Sequence, residues 1–310
     1  MKHFIMSVGG SRNIYKILLL SVIACVMQSC EDNDIDPASY EKYISISADQ
    51  YPAISPDGTR VAYYHRCLEF PEPVDYPTGL YVMDVDGTNR NLVIRGDHFS
   101  PDWSPDGRSL VFSSNGTLQI INVDDDNIRT FNGLPGFPEL PLHTPDWSSD
   151  GEEIIFSAPL TTNGGVFKVT PDLLSVKRIL LPVTNNGMYA SWSPDRSKIV
   201  YQKGNRSLES VEIFIIDTAM ISEQQLTHDK KDDRAAKWSP NGEVIAWSSD
   251  VRITTINING NNRKTLGYGR YPSWSPGSDF LIYSFANSDY TKEVLWRINI
   301  DGSNNSQITF

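Results

Sequence analysis

A short phrase built on Ser-Pro-Asp-Gly recurs six times along the chain. It reads Tyr51-Pro-Ala-Ile-Ser-Pro-Asp-Gly58, Ser100-Pro-Asp-Trp-Ser-Pro-Asp-Gly107 and Thr144-Pro-Asp-Trp-Ser-Ser-Asp-Gly151 in the first half. It returns as Tyr189-Ala-Ser-Trp-Ser-Pro-Asp-Arg196, Ala235-Ala-Lys-Trp-Ser-Pro-Asn-Gly242 and Tyr271-Pro-Ser-Trp-Ser-Pro-Gly-Ser278. The shared serines, Ser55, Ser104, Ser148, Ser193, Ser239 and Ser275, stand 49, 44, 45, 46 and 36 residues apart. Five of the seven tryptophans sit directly before one of them. A near-constant period of this size marks a repeat architecture, in which each unit buries its apolar surface against the next.

Each phrase opens the same series of events. An apolar run follows the turn, as in Arg60-Val-Ala-Tyr-Tyr64 or Lys198-Ile-Val-Tyr201, and a second run comes after a gap, as in Leu80-Tyr-Val-Met-Asp84 or Ile213-Phe-Ile-Ile-Asp217. Asp86-Gly87, Asn259-Gly260 and Asp301-Gly302 then lead into short closing runs such as Gln225-Leu-Thr227 and Gln307-Ile-Thr309. Runs rich in β-branched and aromatic residues, punctuated by such dipeptides, read as strands joined by hairpin turns. Four short strands per period of about 40–50 residues make one propeller blade. The expected fold is therefore all-β, a six-bladed β-propeller with four antiparallel strands per blade.

The phrase needs no catalytic explanation. Proline presets φ, Ser and Asp side chains bond to the turn backbone, and glycine supplies a positive φ. The tryptophans are expected to pack between neighbouring blades. Together with Tyr81-Val-Met-Asp-Val-Asp-Gly-Thr-Asn89, the phrase resembles the PD40 repeat of the TolB-type six-bladed propellers, and the resemblance covers about residues 51–310. Arg196 in repeat four and Pro276-Gly277-Ser278 in repeat six depart from it, which leaves two turns open to question. The resemblance implies an interaction module of the cell envelope. TolB carries an α/β domain ahead of its propeller, and too few residues separate Cys30 from the first repeat here to hold one.

The N-terminus supplies an address. Residues 1–29 hold Lys2, Arg12 and Lys16 with no acid, and Ile17–Met27 is an eleven-residue apolar stretch. A basic start and an apolar stretch of that length form a secretory signal, too short for a membrane span. Gln28-Ser29-Cys30 resembles a bacterial lipobox, although Met27 and Gln28 stand where an aliphatic and a small residue are usual, and an acidic run, Glu31-Asp-Asn-Asp34, follows. Val22-Ile23-Ala24-Cys25 fits the lipobox letters better but would leave only about seven apolar residues, the lower limit for such a segment. We expect a signal peptide at 1–29, lipidation at Cys30, an acidic linker at 30–42 and the propeller at 43–310. Unlipidated periplasmic export is the other reading. The expected location is the envelope of a Gram-negative bacterium, as an outer-membrane lipoprotein facing the periplasm or the surface. Tyr43-Ile-Ser-Ile-Ser47 is a candidate strand for closing the ring against the last blade.

Thirty-eight acidic against 27 basic residues give a net charge of −11, which argues against a nucleic-acid partner. If strands A to D run antiparallel from the centre outward, the A–B and C–D turns share one face, and the B–C and D–A connections share the other. The long connections, Arg66–Gly79, Asn132–His143, Lys203–Ser210 and His228–Arg234, all fall in the second set. So do His65, His98, His143 and His228. Tyr51, Tyr189, Arg234, Arg270 and Tyr271 hold the two positions that begin the A strands. With His65, His98 and His143 they are the candidate ligand-binding residues around the channel mouth, since function on rigid scaffolds concentrates in loops.

Familiar chemistry is missing from the letters. There is no G-x-S-x-G elbow, no H-E-x-x-H motif, no cysteine pair and no phosphate-binding glycine loop. Cys67 reads as a small buried hydrophobe. Asp124–Asp126 and Asp229–Asp233 could attract Ca²⁺, but neither has EF-hand spacing, and both read as solvated turns. We therefore expect no catalytic residue, metal or cofactor, and a non-catalytic propeller that binds an envelope protein or glycan. The alternative is a metal-dependent polysaccharide lyase resembling the oligogalacturonate lyases, with His65, His98 and His143 converging from consecutive blades.

Overall fold

The computed structural model describes residues 47–310 apart from 68, 70, 71, 126, 135–139, 159–164, 174, 179–186, 206–209, 220, 221 and 289. The signal segment, Cys30, the linker, residues 43–46 of the candidate closing strand, and Leu68, Phe70, Phe137 and Glu139 lie outside them. The first repeat unit contains β1 (Ser47–Ile54), β2 (Arg60–Cys67), β3 (Gly79–Asp84) and β4 (Asn91–Arg95). Next come β5 (Phe99–Trp103), β6 (Ser109–Ser114), β7 (Thr117–Asn122) and β8 (Ile128–Phe131), then β9 (His143–Trp147), β10 (Ile154–Ala158), β11 (Gly165–Val169) and β12 (Val176–Arg178). The fourth unit is β13 (Gly187–Trp192), β14 (Lys198–Asn205), β15 (Ser210–Asp217) and β16 (Glu223–Gln225). β17 (Asp233–Trp238), β18 (Val244–Ser249), β19 (Arg252–Asn257) and β20 (Lys264–Tyr268) precede the last unit, β21 (Arg270–Trp274), β22 (Phe280–Ala286), β23 (Lys292–Asn299) and β24 (Ser306–Gln307).

The repeated phrase builds the turn that its chemistry dictates. Ser55 Oγ donates to Asp57 Oδ1 at 2.6 Å and accepts from the Arg60 amide at 2.9 Å. Gly58 follows at φ 75°. Hydrogen bonds from Ser55 and then Thr59 hold the Asp57 pKa down at about 2, which suits a fixed acceptor rather than a proton shuttle. The two irregular turns keep the same design. Arg196 takes the left-handed position at φ 60°, and in the last repeat Ser278 takes it at φ 59° while Asp279 accepts from Ser275 Oγ.

Burial explains the strand sequences. Second strands such as β6 and β10 are buried along almost their whole length and carry three consecutive apolar residues, Leu110-Val-Phe112 and Ile154-Ile-Phe156. Outer strands such as β4 and β8 are largely exposed. Core clusters lie between consecutive units rather than within one. Trp103 of the second unit, for example, packs with Ala53, Ala62 and Leu80 of the first, and its Nε1 donates to the Ala53 carbonyl at 2.9 Å. The interblade role expected for this tryptophan is the one it has.

The central strands β1, β5, β9, β13, β17 and β21 each lie against the next, and β21 lies against β1, so the ring closes. The sheets themselves differ from expectation. Four are separate four-stranded sheets, and one eight-stranded sheet runs from β21 through β23 and β1 to β4, with β24 also on β23. Six separate four-stranded blades are thus not what the structure contains. The cause is an open edge: β24 pairs only with Trp296 and Arg297, which leaves the start of β23 free. Ser47 and Ala48 take that edge in parallel pairing with Lys292 and Glu293, while β1 also pairs antiparallel with β2. The all-β propeller stands; the count of separate blades does not.

Candidate functional site

Every central strand carries a β-bulge at the same place, marked by a register shift against its neighbour. The bulged residues Tyr51, Ser100, Thr144, Tyr189, Ala235 and Tyr271 all adopt φ between 49° and 55°. Bulges re-aim side chains, and these six, with the Pro or Ala after each, line one central cavity of about 50 Å³. Tyr51 and Tyr271 meet with ring centroids 4.1 Å apart and hydroxyls at 3.3 Å. Burial, then the neighbouring phenols, raises the Tyr51 pKa; burial likewise raises those of Tyr189 and Tyr271. The three phenols are neutral hydrogen-bonding groups at physiological pH.

Residues just before the tryptophans tie the central strands to one another. Asp102 Oδ2 accepts from the Trp147 amide at 2.6 Å, and Asp146 Oδ2 from the Trp192 amide at 2.8 Å. Ser273 Oγ does the same for Ile54 at 3.0 Å. Lys237, the odd residue of this series, reaches Asp146 Oδ1 at 2.5 Å. Burial pushes the Asp102 pKa up to about 7, with Lys237 opposing the shift and Asp146 adding to it. Burial also works against the Lys237 charge, but the two carboxylates outweigh it and its pKa is raised.

Beside Tyr51 lies a buried carboxylate. Glu293 Oε2 accepts from Gln50 Nε2, and its Oε1 is buried with no partner. Burial raises its pKa, and the nearby Arg270 charge pulls it back. Arg234 is exposed and holds Asp232 through Nε at 2.7–2.8 Å.

The histidines are dispersed. His65 is 1% exposed, with Nδ1 2.7 Å from Asp49 Oδ1 and its ring stacked on Tyr76 at 3.5 Å. Tyr76 also donates to Asp49 and is covered by the Arg90 guanidinium, so this is a buried aromatic–ionic network. His98 is buried within the connection between β4 and β5, with Nε2 2.9 Å from the Arg95 carbonyl, and burial lowers its pKa. His143 is half-buried at the start of β9, its pKa also lowered by burial. His228 is exposed.

Of the candidate residues, Tyr51, Tyr189 and Tyr271 are brought together, with Arg270 and Arg234 close enough to influence them electrostatically. His65, His98 and His143 make no shared site. Gln50, Glu293, Lys237, Asp102 and Asp146 were not singled out from the sequence. A signal for three of them was present: charged residues precede tryptophan at 102, 146 and 237, whereas the same position is Ser191 or Ser273 in two other repeats.

Residues 72–310 match the family described as PD40, the TolB beta propeller domain. The chain belongs to this TolB β-propeller family. Among solved structures, TolB from Acinetobacter baumannii aligns with a TM-score of 0.67 at 20% identity, over 79% of this chain and 62% of that one. The chain thus spans less than two thirds of that TolB. A TolB-type structure from Agrobacterium tumefaciens aligns with a TM-score of 0.61 at 19% identity, over 71% of this chain and 84% of that one. An oligogalacturonate lyase in complex with manganese gives 0.55 at 13%, over 83% and 90%. At these identities the likeness is one of fold. A search of the curated proteins found no match.

Proposed function

We propose that this TolB-family propeller is a non-catalytic binding module of the bacterial envelope, tethered through Cys30, that engages a protein partner on the face carrying the β2–β3 connection and the starts of the central strands. The observation that carries this reading is how little room the central channel leaves. Tyrosines and the Lys237 cluster leave about 50 Å³, room for a few water molecules, whereas ligand pockets typically measure about 300–1,000 Å³. A partner therefore meets the face rather than the channel. Val74, 83% exposed in the β2–β3 connection, and Arg234 supply an apolar and a cationic contact there. The resemblance to TolB-type propellers favours a protein over a glycan.

The lyase reading has less support. Among the described residues, the candidate metal-binding group of three His, Cys, Asp or Glu contains no histidine. The test is cross-linked capture from envelope extract with full-length protein. Capture should fall at least several-fold in Val74→Asp and Arg234→Glu and persist in Asp124→Lys on the opposite face. Loss only in Asp124→Lys, or Mn²⁺-dependent cleavage of polygalacturonate by the wild type, would overturn the proposal.

A further inference from the structure

The connection between β16 and β17 brings a second group of carboxylates together, away from the central cavity. Glu212 on β15, Asp229 in the connection and Asp233 at the start of β17 each place an oxygen within 4.8 Å of the others. Only the last two are close in sequence. Glu212 is buried and already oriented: Oε2 accepts from Thr227 Oγ1 at 2.7 Å and Oε1 from the Lys230 amide at 3.0 Å. Asp229 is exposed and shares Oδ2 with Arg263 at 2.7 Å.

Asp233 sets this apart from an ordinary acidic turn. It is 0% exposed, and both carboxylate oxygens are buried with no hydrogen-bond partner. Such a group is costly to bury and calls for a specific compensating charge. Thr227, Trp247 and Ser249 face it as donors, but none is in hydrogen-bonding geometry. Burial raises its pKa, and those facing donors pull it back. Arg263 is committed to Asp229 and to Ser249 Oγ. Three carboxylates and one nearby guanidinium leave a net negative site with an unanswered buried anion.

We propose that Glu212, Asp229 and Asp233 bind one Ca²⁺ ion, which ties the connection before β17 to β15. The donors are all hard oxygens, as Ca²⁺ prefers, and Ca–O distances of about 2.3–2.6 Å place ligands up to about 5 Å apart across the ion. The three carboxylate oxygens, all within 4.8 Å of one another, fall inside that reach. Zinc and copper sites are usually built with imidazole or thiolate, and this group has neither. The ion has a structural role: it neutralises Asp233 and fixes a connection on the face assigned to partner binding. The site does not depend on that assignment.

The test uses the full-length protein, freed of metal with a chelator and titrated with CaCl₂ at pH 7.5 by calorimetry and thermal melting. One ion should bind per chain, and saturating Ca²⁺ should raise the melting temperature by roughly 5 °C. Asp233→Asn should abolish both effects, yet melt without metal at or above the wild-type temperature, because a buried unpartnered charge has been removed. Asp229→Asn, a change at an exposed position, should weaken binding at least tenfold if Asp233→Asn proves insoluble. Asp124→Asn in the other acidic run should bind normally. The proposal fails if Ca²⁺ gives no heat and no shift, or if Mg²⁺ or KCl at equal ionic strength shifts the melt as much. It fails equally if the Ca²⁺ effect survives Asp233→Asn or Asp229→Asn.

Discussion

Lys237 and Asp146 meet in the central channel from strands that are not neighbours. β17 supplies the ammonium, β9 the carboxylate, and β13 lies between them in the ring. Asp146 at the same time accepts the Trp192 amide of β13, so one carboxylate links three central strands. The pair, with Asp102 beside it, balances charge in the central channel.

Removing the ammonium should therefore cost more than removing a surface lysine. Lys237→Met leaves Asp102 and Asp146 without their counter-charge and should destabilise the protein by about 2–3 kcal/mol. This is less than the roughly 3–5 kcal/mol of a fully buried pair, because 35% of the Lys237 side chain is open to solvent. The double change Lys237→Met with Asp146→Asn should recover part of the loss. Urea denaturation of the two variants checks both figures, and an unchanged midpoint for the single variant would contradict this role.

Asp102 predicts the sign of a pH dependence. Its folded pKa, pushed up to about 7 by burial, lies above the ordinary 3.8. The folded state therefore holds this proton when the unfolded state has lost it. Its contribution is fully present below about pH 4 and declines as pH rises to about 7. Asp102→Asn keeps the hydrogen-bonding shape without the titration. Relative to wild type it should gain stability from pH 5 to about 7 and level off above that, measured by thermal melting; a constant difference from pH 5 to 7 would contradict the assignment.

Arg196 stands where four other repeats have glycine, at φ 60°. Left-handed backbone disfavours a side chain by roughly 1–2 kcal/mol. Against this, its guanidinium pairs with Asp150 and Glu153, lies 3.7 Å from Glu152, and sits over the Trp192 ring. Arg196→Gly restores the repeat letter but removes those contacts. We expect it to be neutral to destabilising by up to about 1 kcal/mol, less in high salt, rather than stabilising as backbone strain alone would suggest. Melting in low and high salt distinguishes the two.

The tether is tested outside the folded domain. Metabolic labelling with a fatty-acid probe should tag wild type and spare Cys30→Ser. Label that survives this change and disappears in Cys25→Ser would move the acylated cysteine.

What the letters alone determined was local. Ser55, Asp57 and Gly58 specify a turn through bonds spanning two to five residues, so each of the six phrases could be read where it stands. Repetition then implied a ring with tryptophans between its units, and an exposed face of longer loops. Tyr51 and Tyr271 were legible because both stand at the same place in the repeated phrase, four residues before its serine. The tertiary structure decided everything that depends on which units meet and on the rotation of each strand. It dispersed His65, His98 and His143 into separate environments: His65 turns toward Asp49 of β1, while His98 is held by the Arg95 carbonyl in its own connection. It joined the first and last units in one sheet, because two-residue β24 leaves an edge that Ser47 and Ala48 take up. It also paired Lys237 with Asp146 and set Glu212 beside Asp233, contacts 91 and 21 residues apart in the sequence. Coulomb attraction and desolvation act through space, and only closing the ring brings those charges within their range.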